Sequence, residues 1–474
     1  MRKRSGRRSE EGREVCVFSG LSFRLGAGTA AVATLLTFAG PAAAGELRVI
    51  LDGQAAVTSD GNYGQSSTLG DEDQETVGRA GFDLRLSYDG QRSGLALVYS
   101  PSYEQILEGR DEEGAGRRER DAIAHRLLLG FQGELSRRLS LSVRERLFQT
   151  PNLDLYLPPT SPDTLAVTRR GDQLAHDFDL GFRYAATRRF FLSLGASHGL
   201  RTFDDTDLFD TETQGVSLGG SFQVSEFKSV GASAGLGRFE YEDGREDDVQ
   251  LLGVNYTFGV GRDTQVSLDA GTFAVDSTFL APLAPEEPLP GEEVPTPPTI
   301  VVESEETGWR GGIGISQRRE LFNWNLGYRH DLSAGYGLGR AAEADNAYGG
   351  ISTSLGRNVT VGLDGNVSRQ RDLGDRDEFL TGTGNRPLSE FAAGTLRLGW
   401  QALPSLRLNA GYSRIWQEAR AEPFEDLSYS RYFLGLAFRI FSRGETPKDP
   451  LRPEATEEAG GDDKDDKNEE PDAR

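Results

Sequence analysis

Charged side chains recur at every second position in several stretches of this chain. Arg144 and Arg146 flank Glu145, Asp177 and Asp179 flank Phe178 with Arg183 on the same parity, and Arg329 and Asp331 flank His330. Arg85, Arg126, Arg201, Asp269, Asp364, Arg397 and Arg407 lie in stretches of the same kind. Rings of fixed charge around a passage sort ions and solutes by sign. If Arg144, Arg146, Arg183 and Arg201 share one wall, that wall attracts anions such as sugar acids. If each faces a carboxylate on the next strand, the charges cancel. Both signs are interspersed in the sequence, and both readings stay open at this point.

Other chemistry is poorly supplied. The histidines are His125, His176, His198 and His330, and the only cysteine is Cys16. Hydrolytic catalysis needs a serine, a histidine and an acid converging on one point. Ser197 and His198 are adjacent, which in a strand sends them to opposite faces. No HExxH, GxSxG or phosphate-binding glycine loop stands out. No enzymatic activity, metal site or cofactor is expected.

The elements that position the charges follow from a period of two. Phe322, Trp324, Leu326 and Tyr328 alternate with Asn323, Asn325, Gly327 and Arg329. Phe178, Leu180, Phe182 and Tyr184 alternate with Asp177, Asp179, Gly181 and Arg183, and Val359, Val361 and Leu363 with Thr360, Gly362 and Asp364. Strand side chains point alternately to opposite faces, so each segment has one apolar and one polar face. A helix would need apolar residues three and four apart. Eighteen such segments run from 46–58 to 428–441, among them 263–276, 305–318 and 345–356. Their connections alternate between short turns (Asp89-Gly90-Gln91, Gly356-Arg357, Leu403-Pro404) and mostly longer polar loops such as 59–75, 107–119, 150–171, 277–304 and 371–388, with 242–245 a short exception.

The net charge of −22 argues against nucleic acid as a partner. Residues 1–24 are rich in arginine, Leu25 to Ala39 form an apolar run, and Pro41-Ala42-Ala43-Ala44 ends in small residues. That order reads as a secretory signal over 1–44, too short in its apolar part for a membrane helix. Cys16 lies inside it and lacks the small and apolar neighbours of a lipid anchor. No later stretch approaches the roughly 18 apolar residues of a spanning helix. Any membrane-embedded mature chain must therefore cross as strands, and a closed barrel is the strand structure that leaves no unpaired edge in lipid. The fold expected is an all-β, transmembrane antiparallel barrel over 45–441 with about 18 strands (16 as the alternative) and both termini periplasmic. Residues 442–474 read as a disordered acidic C-terminal tail. A soluble sandwich, solenoid or β-helix would also alternate, but without so many aromatic residues ending the apolar stripes.

The last strand ends Gly435-Leu436-Ala437-Phe438-Arg439-Ile440-Phe441. With Gly435, Phe438, Ile440 and Phe441 it resembles the C-terminal assembly signal of bacterial outer-membrane proteins, although Phe433 stands where a polar residue is usual and 33 residues follow. Over 45–441 the chain resembles the porin-like class of outer-membrane barrels in pattern rather than in motif. That resemblance implies a Gram-negative outer-membrane location and contact with outer-membrane lipid and lipopolysaccharide. It also implies recognition by the barrel-assembly machinery and passive diffusion of small hydrophilic solutes through the lumen. In that class the third outer loop narrows the lumen, which points to 150–171 (Leu153, Leu155, Tyr156, Leu157) as the constriction, although packing on a neighbouring subunit is equally open. The alternatives are a blocked barrel serving as a scaffold or surface-interaction protein, and a polysaccharide-export barrel. Association into a homo-oligomer is left open.

Overall fold

The computed structural model describes residues 46–60, 75–108, 121–150, 173–203, 209–282, 299–319, 321–335, 340–373, 387–419 and 427–443. The expected leader 1–44, the tail and the loop 150–171 lie wholly or almost wholly outside these residues. The strands are β1 (Glu46–Asp60), β2 (Glu75–Asp89), β3 (Ser93–Glu108), β4 (Asp121–Ser136), β5 (Leu139–Thr150), β6 (Gln173–Ala185), β7 (Phe190–Phe203), β8 (Thr211–Ser225) and β9 (Lys228–Tyr241). They continue as β10 (Glu246–Val260), β11 (Thr264–Pro282), β12 (Thr299–Arg318), β13 (Phe322–Ser333), β14 (Ala342–Leu355), β15 (Val359–Asp372), β16 (Pro387–Leu403), β17 (Leu406–Ala419) and β18 (Leu427–Arg443).

All 18 strands form one antiparallel sheet in which each pairs with its sequence neighbours, and β1 pairs with β18. The sheet is therefore a closed barrel. Closure gives every strand a partner on both sides, as a hydrocarbon surrounding demands. Val49 lies opposite Arg443, so the first and last strands start and finish at the same end of the barrel.

The strand ends match the alternating segments closely, with one clear departure. The hairpin of β11 and β12 is longer than the period suggests, with pairing continuing to Pro282↔Thr299. Its extra arms were expected to be loop because proline and glutamate crowd the stretch between them. Backbone pairing needs only a partner strand, and Ser277, Phe279, Val301 and Val302 supply residues suited to it.

Apolar side chains turn outward. Leu192, Leu194, Leu218, Leu252, Val254, Leu326, Leu363 and Leu434 are all exposed, which is tolerable for so many large apolar groups only against lipid. Further from the short turns the same faces turn polar. On β9 Leu236 gives way to Arg238, and on β10 Leu252 gives way to Gln250 and Asp248, with Arg238 and Asp248 joined at 2.8 Å. Tight turns close the other end. Gly261 and Gly356 adopt φ of 74° and 72°, a left-handed conformation that costs glycine little.

Candidate channel lumen

The strands fix which side chains meet inside the barrel. On β6, exposed Tyr184 marks the outward parity, so Asp177, Asp179 and Arg183 point inward. The same parity argument, set by exposed apolar residues on each strand, places Arg85, Arg126, Arg144, Arg146, Arg201, Asp269, Arg329, Asp331, Asp364, Arg397 and Arg407 on the inner face.

Their electrostatics are mixed rather than basic. Asp177 takes Arg201 at 2.7 Å and Arg146 at 3.4 Å. Asp331 takes Arg329 at 2.6 Å and Arg310 at 3.2 Å. Arg85 meets Asp83 at 3.2 Å, and Arg397 meets Asp364 at 3.7 Å. Of the four arginines that could have formed one basic wall, two are thus held by a single carboxylate. Arg144 stands opposite Asp179 in register, and the Arg183 guanidinium lies 4.2 Å from the Phe191 ring centroid. Arg126 lies over Phe148 at 5.9 Å. Cross-strand compensation is the better description of this wall.

A cavity of about 670 Å³ opens between the inner faces of β1–β4 and β14–β18. Arg79, Asp83, Arg126, Asp364, Arg397 and Arg407 contribute its charged lining. Arg79 pairs with the fully buried Glu104, and Arg439 with Asp52 at 3.2 Å. Neither pair was singled out from the sequence, although each member has inward parity.

The opposite wall differs. Val249, Phe273 and Val275 point inward from β10 and β11 and pack with Ala341 and Leu373. The Phe273 ring lies over Gly308, where a Cβ would overlap it. The described ends of the connection after β13, Ala334 and Ala341, are held against this side of the barrel. The Ala334 carbonyl accepts the Tyr241 hydroxyl at 3.0 Å, and the Ala341 N–H donates to Asp247 at 3.1 Å. An inward connection was expected at 150–171, which lies almost wholly outside the described residues, and sequence reasoning missed this one. The available signal was composition: the connection carries the small residues Ala334, Gly335 and Ala341, where 59–75 and 371–388 are rich in charge.

The four histidines share the outward parity. His176 meets Glu145 at 3.3 Å, His198 meets Glu212 at 3.0 Å, His330 meets Asp345 at 2.9 Å, and His125 meets the Tyr99 hydroxyl at 3.1 Å. Ser197 and His198 lie on opposite faces, so they form no nucleophile–base pair. Among the described residues no cluster of histidines and carboxylates is suited to hold a metal, and no helix is long and apolar enough to cross a membrane.

Asp210 is the carboxyl held by the Phe203 amide. That carboxyl, between β7 and β8, is pushed above its ordinary range by burial and by nearby Glu242, against the lowering effect of the Phe203 N–H donated to it at 2.8 Å.

A closed, lipid-clad barrel with a polar, charge-compensated interior defines a transmembrane β-barrel of the porin-like architecture. No family model matches the sequence, and no curated protein does. Among solved structures, the chain is similar to Pseudomonas aeruginosa OpdK with vanillate, at 13% identity and a TM-score of 0.40, covering 84% of this chain and 99% of that one. It is similar to Pseudomonas aeruginosa OccK2 in complex with glucuronate at 13% identity and a TM-score of 0.42, covering 84% and 99%. Acinetobacter baumannii OccAB3 is similar at 11% identity and a TM-score of 0.40, covering 84% and 100%.

Proposed function

We propose that the protein is a porin-like channel in the outer membrane of a Gram-negative bacterium, passing small hydrophilic solutes by passive diffusion. The observation that carries this reading is the contrast of faces: exposed leucines outside, and paired arginines and aspartates around a 670 Å³ cavity inside. An 18-stranded barrel is wide enough for an aqueous passage unless its own connections fill it. Both termini then lie in the periplasm, on the side of the short turns. Arg126, Arg397, Arg407 and Asp364 serve as the selectivity lining. Because most inner arginines have carboxylate partners, the expected selectivity between small anions and cations is weak.

The ending Gly435, Phe438, Ile440 and Phe441 serves as the signal read by the barrel-assembly machinery. Its support is position: β18 is the strand that closes the seam with β1, and Phe438, Ile440 and Phe441 are exposed. A second reading, a barrel with a closed lumen acting as a scaffold, draws on the inward seat of Ala334 and Ala341. Purified protein in planar lipid bilayers separates the two. Stepwise conductance supports the channel, and a folded but silent barrel supports the scaffold.

A further inference from the structure

The inner face of β15 continues beyond the cavity from Asp364 to Asn366, Ser368 and Gln370, while Leu363 and Val367 face outward. Asn366 and Gln370 are only 3% and 1% exposed. Neither the nitrogen nor the oxygen of either carboxamide has a hydrogen-bond partner. An enclosed polar atom without a partner costs free energy, so native proteins rarely keep one without a reason. Here two whole carboxamides on one strand face are left so, and Asn366 stands two residues from Asp364, which lines the cavity.

Each carboxamide offers two N–H donors and one carbonyl acceptor. A carboxylate solute could only accept and would leave both carbonyl oxygens unpaired. An ammonium solute could only donate and would leave both amino groups unpaired. A hydroxyl does both, and neighbouring hydroxyls on a carbon chain can satisfy one carboxamide at its two ends. In register, Ser368 lies between Asn346 of β14 and the buried Phe391 of β16. The strip thus combines carboxamides, a hydroxyl and an aromatic ring, which suits a molecule with both hydroxyls and apolar C–H faces.

We propose that Asn366 and Gln370 form a binding strip for an uncharged polyhydroxylated solute of the saccharide class. The strip rests on the channel reading for its access from solution, and it predicts a preference that the charged lining alone would not give.

The test is block of ion current by sucrose, comparing the full chain with its N366L/Q370M variant in planar bilayers. The replacements keep the branching of Asn366 and the unbranched length of Gln370 and remove only unpaired polar atoms, so the variant should fold. A heat-dependent shift in electrophoretic mobility checks that it does. The expected result is sucrose block in the natural chain, with a half-blocking concentration about tenfold higher in the variant and unchanged open conductance. Equal block in both, or none in either, overturns the strip and means that water alone satisfies the carboxamides; the channel reading survives that result. A folded natural chain that carries no current defeats the channel reading instead. Calorimetric titration of the folded barrel with sucrose then decides the strip: heat lost in the variant supports it, and absence of heat in the natural chain overturns it.

Discussion

The two sides of the lumen are built from the same alternating pattern and end in different states. Along β1–β4 and β14–β18 charged side chains such as Arg79, Asp83, Arg126, Asp364, Arg397 and Arg407 line an open cavity, among small residues and Phe433. Along β10 and β11 the inward positions include Val249, Phe273 and Val275, and the connection after β13 covers them with Ala341. A period of two decides which residues face inward. The chemistry of those residues then decides whether the inside stays wet or draws chain onto itself, because exposed apolar surface is removed from water wherever a segment can reach it.

Loss of the covered patch gives the largest expected effect. Phe273→Ala removes a buried ring from over Gly308 and should cost about 3–5 kcal/mol of stability. Unfolding by denaturant in detergent micelles would measure it. The same variant should widen the passage and raise single-channel conductance. Unchanged stability and conductance would mean that the apolar patch does not hold the connection in place.

Asp177→Asn comes next, since it leaves Arg146 and Arg201 without their shared carboxylate, and Arg201 is almost wholly buried. A loss of about 1–3 kcal/mol is expected, together with a reversal potential displaced toward anion selectivity. A potential that does not move would place this pair away from the ion path.

On the cavity side, Thr395→Ala removes one hydroxyl from the Thr395–Ser413 contact at 3.0 Å. The expected cost is about 1 kcal/mol, the net worth of one neutral hydrogen bond. If this cost matched that of Phe273→Ala, the two walls would not differ as described.

The smallest effect concerns pH. The Asp210 carboxyl has a raised pKa, so folding favours its protonated form. Its stabilisation is present below the ordinary carboxylate value and is lost as pH rises through the raised one. Hydrogen exchange at the Phe203 amide should therefore show faster opening as pH rises through that window, after correction for intrinsic exchange. Asp210→Asn should remove the dependence. A natural chain with flat corrected exchange would show that this carboxyl is not strained by its burial.

Much of this was legible in the sequence, and the reason is physical. Phe322 to Tyr328 or Phe178 to Tyr184 leave one face fit for lipid and one for water, and no other common element has that period. Parity therefore assigned Arg183 or Asp364 an inner face without any knowledge of the fold. Partner choice was not legible. Asp177 holds Arg146 and Arg201 because the registers of β5, β6 and β7 bring the three together, and register is a property of the assembled sheet. The inward turn of Ala334 and Ala341 also depended on assembly, since their target, Val249 to Val275, comes from strands far away in sequence.

The central claim is that adjacent residues of one strand face lipid and water in turn. Cys16 is the only native cysteine, so with Cys16→Ser the chain accepts single reporters. Cysteines placed at Ser217 and Leu218 of β8 would be tested with a membrane-impermeant maleimide in reconstituted vesicles. The account predicts rapid labelling of the cysteine that replaces Ser217 and protection of the one that replaces Leu218. Equal labelling at the two positions, or protection at both, would contradict it.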